Sequence, residues 1–188
     1  MMKKLILSLA FASLAIIGFA QANFTLNNKC GFEASDGKGY MVIPFEGKTA
    51  HELYDMVRVN VGKSYNSPKE VMSVVEDKSI AIYATVDGIY KENLFLVNGT
   101  YSSKYSLNFE FKDGKIKVEA PLLGSGMVKY TNGKFESYDA VADELAKKLF
   151  EKNGEPKKKK INNIKAIEGY FNNLINKLLA VNAGEEDW

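Results

Sequence analysis

Among its 188 residues the chain has one cysteine, one histidine, one tryptophan and four prolines. A single cysteine, Cys30, excludes an internal disulfide framework. A single histidine, His51, excludes a Cys/His zinc site or a His-rich metal cluster. Charge of one sign is also missing. Lys and Arg number 25 against 23 Asp and Glu, a balance that leaves no electrostatic footprint for nucleic acid. Hydrophobic residues at 46% and charged residues at 26% exclude a disordered chain and fit one globular domain, or one domain with an appendage.

The N-terminus reads as an export segment. Lys3 and Lys4 precede an uncharged run from Leu5 to Ala20, which closes on Ala20-Gln21-Ala22. A charged start, an apolar stretch and an A-x-A site form a bacterial secretory signal. The run of 16 residues falls short of the ~20 apolar residues of a spanning helix. Cleavage after Ala22 is expected, with no transmembrane span left in the mature chain and a periplasmic or secreted location. Cys30 lies too far beyond the run for lipidation and is expected to be buried and inert. Lys3 and Lys4 carry the whole charge excess, so the chain from Asn23 onward has 23 residues of each sign.

Residues 23–38 show no period and read as a loosely held N-terminal arm. Tyr40 to Phe45 reads as a strand, with Pro44 marking an edge or an end. Thr49-Ala50-His51-Glu52 is a capping box, and Ala50, Leu53, Tyr54, Val57 and Val61 recur at helical spacing, so a helix is expected over about 50–61 with Gly62 as its stop. Ser67-Pro68 starts a short helical turn. Strands are expected at Val71–Val75, at Ile80–Val86 and from Leu94.

The hairpin at Lys112-Asp113-Gly114-Lys115 is the clearest element. An Asp-Gly pair suits a type I′ turn. Zipping outward pairs Phe111 with Ile116, Phe109 with Val118 and Leu107 with Ala120 on an apolar face. Asn108, Glu110, Lys112, Lys115, Lys117 and Glu119 form a polar face, with Glu110 opposite Lys117. A second hairpin is expected at Val128–Phe135. A helix follows, N-capped by Ser137 and ended by Asn153-Gly154. Glu155-Pro156 and Lys157 to Lys160 read as a linker. The last helix places Ile161, Ile164, Ile167, Phe171, Leu174, Ile175, Leu178 and Leu179 on one face, for packing on the domain or on a partner. Its polar face is mostly asparagine, which disfavours docking on a membrane surface.

Motifs that could carry chemistry are incomplete. Gly47-Lys48-Thr49 ends like a phosphate-binding loop, but the first glycine would fall on Val42, so Thr49 is read as a helix cap. Gly37-Lys38-Gly39 and Gly124-Ser125-Gly126 lack the context of a dinucleotide loop or nucleophile elbow and read as flexible turns. His51, in the first turn of its helix, is expected to face solvent with its basicity depressed by the dipole. Nothing in the sequence brings it to Ser125 or Cys30. No residue is assigned a catalytic, cofactor-binding or metal-binding role, and no cofactor is expected.

Two segments carry a resemblance: Gly47-Lys48-Thr49-Ala50-His51-Glu52-Leu53-Tyr54 and Leu107-Asn108-Phe109-Glu110-Phe111-Lys112-Asp113-Gly114-Lys115-Ile116-Lys117-Val118. In their order and spacing the stretch from Gly39 to Pro121 resembles a domain-of-unknown-function family of exported bacterial proteins with a TATA-binding-protein-like (TBP-like) fold. The resemblance implies a strand, a helix and an antiparallel meander that curls around the helix. It carries over no functional residues.

The reading is therefore α+β: a curved antiparallel sheet packed on a helix, in the order strand-helix-meander-helix, with an added C-terminal helix. Its parts are a signal (1–22), an arm (23–38), the TBP-like core (39–121), a hairpin and helix completing the domain (122–154), and a Lys-rich linker, amphipathic helix and acidic tail (155–188). The expected role is a non-enzymatic binding or envelope-associated module. If the last helix is not packed intramolecularly, Ile161, Ile164, Phe171 and the Ile175 region would meet a protein or envelope partner. The alternative is a carboxylate-based hydrolase of an envelope or extracellular polymer, which needs two acids flanking a cleft.

Overall fold

The computed structural model describes residues 21–93 and 96–181. The first 20 residues of the expected signal (1–22) and the expected acidic tail from 182 lie outside the described residues. Two long strands organise the molecule: β5 (Ser79–Asn93) and β6 (Asn98–Lys112), paired antiparallel along nearly their whole length. Between them Leu96 is 85% exposed in the turn, so the strand expected from Leu94 begins only at Asn98.

The other strands add to this pair. β3 (Tyr40–Pro44) joins β7 (Lys115–Glu119), β7 joins the distal half of β6, and β4 (Met72–Val75) closes the far edge beside β5. β8 (Leu122–Tyr130) takes over the same side of β6 nearer its start, and β9 (Phe135–Tyr138) pairs with β8. The chain is thus an α+β fold with a curved antiparallel sheet. Pro44 sits on an edge strand, where its missing N–H breaks no ladder.

Alternation sets the core. Along β5 and β6, Ile80, Ile82, Val86, Tyr101, Tyr105, Leu107, Phe109 and Phe111 are buried. Helix α1 (Ala50–Ser64) covers this face with Leu53, Tyr54, Val57 and Val61. Each such side chain contributes about 1.5–3 kcal/mol on burial. The capping box at its start is complete: the Glu52 N–H reaches Thr49 Oγ1 at 3.2 Å, and the Thr49 N–H reaches Glu52 Oε2 at 2.7 Å. Gly62 does not stop the helix, which runs on to Ser64.

The hairpin register is as expected from Phe109–Val118 to Lys112–Lys115. Its turn differs. Only Gly114 takes positive φ, +74°, because tertiary contacts set the turn: Asp113 Oδ1 accepts the Ala50 N–H at 2.8 Å. The Gly114 carbonyl and N–H bond to Phe45 and Lys48, each at 2.7 Å. Pairing ends at Phe109–Val118, so Leu107 and Ala120 do not pair, and Leu107 faces Ile82 across β5 instead.

The C-terminal part corrects several expectations. Ser137 lies in β9, and α3 spans Val141–Leu149 with Ala140 at its N-cap. Asn153-Gly154 therefore falls past the helix, in a turn that folds Phe150 back beside Pro156. The lysine run is no free linker. A short 3-10 turn spans Lys158–Lys160, Lys157 Nζ donates to the Lys147 carbonyl at 2.8 Å and Lys160 Nζ to the Tyr90 hydroxyl at 2.7 Å. A short helix α2 (Pro68–Val71) forms where the Ser67-Pro68 signal placed it.

Helix α4 (Ile161–Leu178) buries Ile164, Ile167, Phe171, Ile175 and Leu178 in the protein's own core, while Ile161 stays 41% exposed. The face reserved for a possible partner is therefore filled from within. Phe32 and Tyr105 meet the Phe171 ring edge-on at 5.0 and 5.3 Å between centroids. The buried Asn60 of α1 donates to the carbonyls of Leu178 and Ala180, satisfying groups that a helix C-terminus leaves open. Residues 23–38 are not a loose arm. β1 (Thr25–Leu26) and β2 (Phe32–Glu33) pair as a ribbon, and Phe24, Cys30 and Phe32 are buried.

Candidate functional site

The sheet face turned away from the helices is open, and two irregularities shape it. Between Asp87 and Tyr90, β5 carries extra residues, with Gly88 at φ +71°. Opposite Ser103–Tyr105, β8 carries one extra residue at Gly124-Ser125. Bulges bend a strand and raise its local twist. These two lie on either side of the same stretch of β6 and curl the sheet into a trough.

Register fixes the lining. Tyr83, Ser106 and Leu122 form one cross-strand row, and Asp87, Ser102, Met127 and Ser137 another. Tyr83 is 59% exposed and Leu122 63%, because period-2 alternation sends Ala84, Tyr105 and Leu107 to the core instead. One depression of the trough, about 540 Å³, lies among Tyr83, Thr85, Lys104, Ser106, Leu122 and Ser125. Thr85, Lys104 and Ser125 also line a neighbouring depression of about 320 Å³ that reaches Met127, Ser137 and Asp139. Ser102 and Met127 continue it into a third that ends at Asp87 and Thr131. Along its length the trough offers two ammonium groups (Lys104 and Lys129), two carboxylates (Asp87 and Asp139), several hydroxyls, the exposed phenol of Tyr83 and aliphatic side chains.

Gly126 belongs to this architecture for packing reasons. A Cβ there would run into the Ser102 carbonyl and lie 2.5 Å from Val141 Cγ2. Gly124-Ser125-Gly126, expected to be a flexible turn, is instead strand and bulge within β8.

The residues singled out by sequence stay apart. Cys30 sits at φ +54° in the β1–β2 turn and is 1% exposed; burial pushes its thiol up to about 12, which suppresses thiolate chemistry. Ser125 lines the trough. His51 is in α1, where Nδ1 lies 2.7 Å from Asp77 Oδ1 and Nε2 lies 3.4 Å from Asp55 Oδ2. Its basicity is raised, chiefly by the hydrogen bond to Asp77 and the charge of that carboxylate, so the expected lowering by the helix dipole is overridden. Asp77 lies 26 positions from His51, and no local signal announces it. Among the described residues no group of three or more His, Cys, Asp or Glu is placed to hold a metal ion. No helix among them is long and apolar enough to cross a membrane.

A further side-chain row escaped the sequence reading. The Ala22 N–H donates to Asn176 Oδ1 at 2.8 Å, the Phe24 N–H to Asn172 Oδ1 at 2.8 Å and the Leu26 N–H to Glu168 Oε1 at 2.9 Å. Asn176 and Asn172 also donate back to the carbonyls of Ala22 and Phe24, at 3.1 and 2.9 Å. Every second residue of the extended N-terminal segment thus meets every fourth residue of α4. The two periodicities, 2 and 3.6, together align these partners.

Comparison with known proteins gives the fold a place but no activity. Residues 40–122 match the family model described as a domain of unknown function (DUF4468) with TBP-like fold. A TBP-like protein from Parabacteroides distasonis superposes with TM-score 0.50 at 14% identity, over 74% of this chain and 87% of that one. A DUF4468 family protein from Bacteroides ovatus gives TM-score 0.49 at 13% identity, over 77% and 87%. No curated protein matches the chain. Residues 40–122 of the chain thus match the DUF4468 family of domains of unknown function, and the fold around them is TBP-like.

Proposed function

We propose that the protein is an exported, non-enzymatic binding module of the bacterial envelope that holds its partner across the outer face of the sheet. The trough carries this reading. Exposed Tyr83 and Leu122 stand beside Lys104 and a set of hydroxyls on a rigid scaffold. Such a surface offers apolar contact and orienting hydrogen bonds without a reacting group. The N-terminal signal supports export, and the even charge balance favours a partner recognised by shape and hydrogen bonds over one drawn in by charge. The carboxylate-based hydrolase is the less favoured reading: the depression around Tyr83 and Leu122 is lined by no acid, and the trough's two acids, Asp139 and Asp87, line separate depressions, whereas glycoside chemistry asks for two flanking one bond.

Affinity capture from native envelope extract tests the proposal. The wild-type chain is expected to retain a defined partner that Tyr83→Ala combined with Lys104→Ala releases. Capture of nothing, or equal capture by the double variant, contradicts it.

A further inference from the structure

The position of the N-terminal cut can be read from what the fold uses. Ala22 is 2% exposed and is gripped at both backbone groups by the Asn176 side chain, at 2.8 and 3.1 Å. It is the first rung of the row that continues with Phe24 on Asn172 and Leu26 on Glu168. Cleavage after Ala22 would remove that rung. The Asn176 amide would lose its partners on the segment, and a charged amine on Asn23 would replace a neutral peptide group beside Met41, whose sulfur the Asn23 N–H faces at 3.3 Å.

The sequence supplies a second site two residues earlier. Gly18-Phe19-Ala20 places small residues one and three positions before the Ala20–Gln21 bond, the same requirement that Ala20-Gln21-Ala22 meets at Ala22–Asn23. Sequence pattern alone does not separate the two. The folded chain does, because only the earlier cut leaves Ala22 inside a peptide.

We infer that signal peptidase cuts between Ala20 and Gln21, so that the mature protein begins at Gln21 and keeps Ala22 as a structural residue. The peptide bond between Ala20 and Gln21 is hydrolysed with one water, leaving a carboxylate on Ala20 and a free amine on Gln21. This inference rests on export, the reading proposed above, and adds where that export ends.

Expression of the full chain in an exporting bacterial host, followed by fractionation, N-terminal sequencing and intact mass, tests it. A mature N-terminus at Gln21 is the expected result. An N-terminus at Asn23 overturns the inference and leaves export standing, whereas an uncleaved chain starting at Met1 overturns both. A second measurement bears on the physical reason. A chain starting at Gln21 is expected to unfold at a higher midpoint than one starting at Asn23, and equal midpoints contradict a structural role for Ala22.

Discussion

His51 shows how a single contact can reverse a local expectation. A histidine in the first turn of a helix sits at the positive end of the dipole, yet here two carboxylates flank the ring and Asp77 holds Nδ1 at 2.7 Å. The protonated form is favoured in the folded protein. Its contribution to stability is complete below the ordinary histidine pKa of about 6.5 and is lost as pH rises through the higher folded value. NMR titration is expected to place His51 above that ordinary value, and Asp77→Asn to bring it down. An unchanged titration in Asp77→Asn would show that the contact does not govern the ring. Gly126 makes a different point: a methyl group there meets the Ser102 carbonyl and Val141. Gly126→Ala is expected to destabilise the protein by about 1–3 kcal/mol through overpacking, measured by denaturant unfolding.

At the scale of elements, legibility followed the source of the stabilising contacts. The β6–β7 hairpin was readable because its strands alternate and its turn is two residues long, so the pattern and the pairing are both local. Even there the turn type was not, since Asp113 is engaged by Ala50 and Gly114 by Phe45 and Lys48, contacts that span many residues. Ser137 looked like a helix cap and became a strand residue because its segment pairs with β8. Residues 23–38 gave no period to find: their backbone bonds go partly to side chains of α4. The asparagines of α4 read in sequence only as a polar face that disfavours a membrane, although Asn172 and Asn176 hold the N-terminal segment. Asn172→Ala strands both polar groups of Phe24 and is expected to cost about 1–3 kcal/mol. Asn173→Ala, one position on and exposed, is expected to stay within about 0.5 kcal/mol. Thermal or urea denaturation of the two variants distinguishes them.

For the whole molecule, one hydrophobic cluster ties the N-terminal ribbon, the sheet and all of α1, α3 and α4 together. The helices cover one face of the sheet, and the other, bent by the bulges beside β6, is the face on which recognition is proposed. Fold class could be argued from the strand-helix-meander order. The trough could not, because it depends on which residue of β5 stands opposite which of β6 and β8, and the two bulges shift that register without leaving a sequence mark beyond Gly88 and Gly124-Ser125. Hydrogen–deuterium exchange of the mature protein, with and without native envelope extract, tests the central claim most directly. Recognition by the outer face predicts new protection concentrated in β5, β6 and β8 around Tyr83, Lys104 and Leu122. Protection confined to α4 or the N-terminal ribbon, or none anywhere, would contradict it.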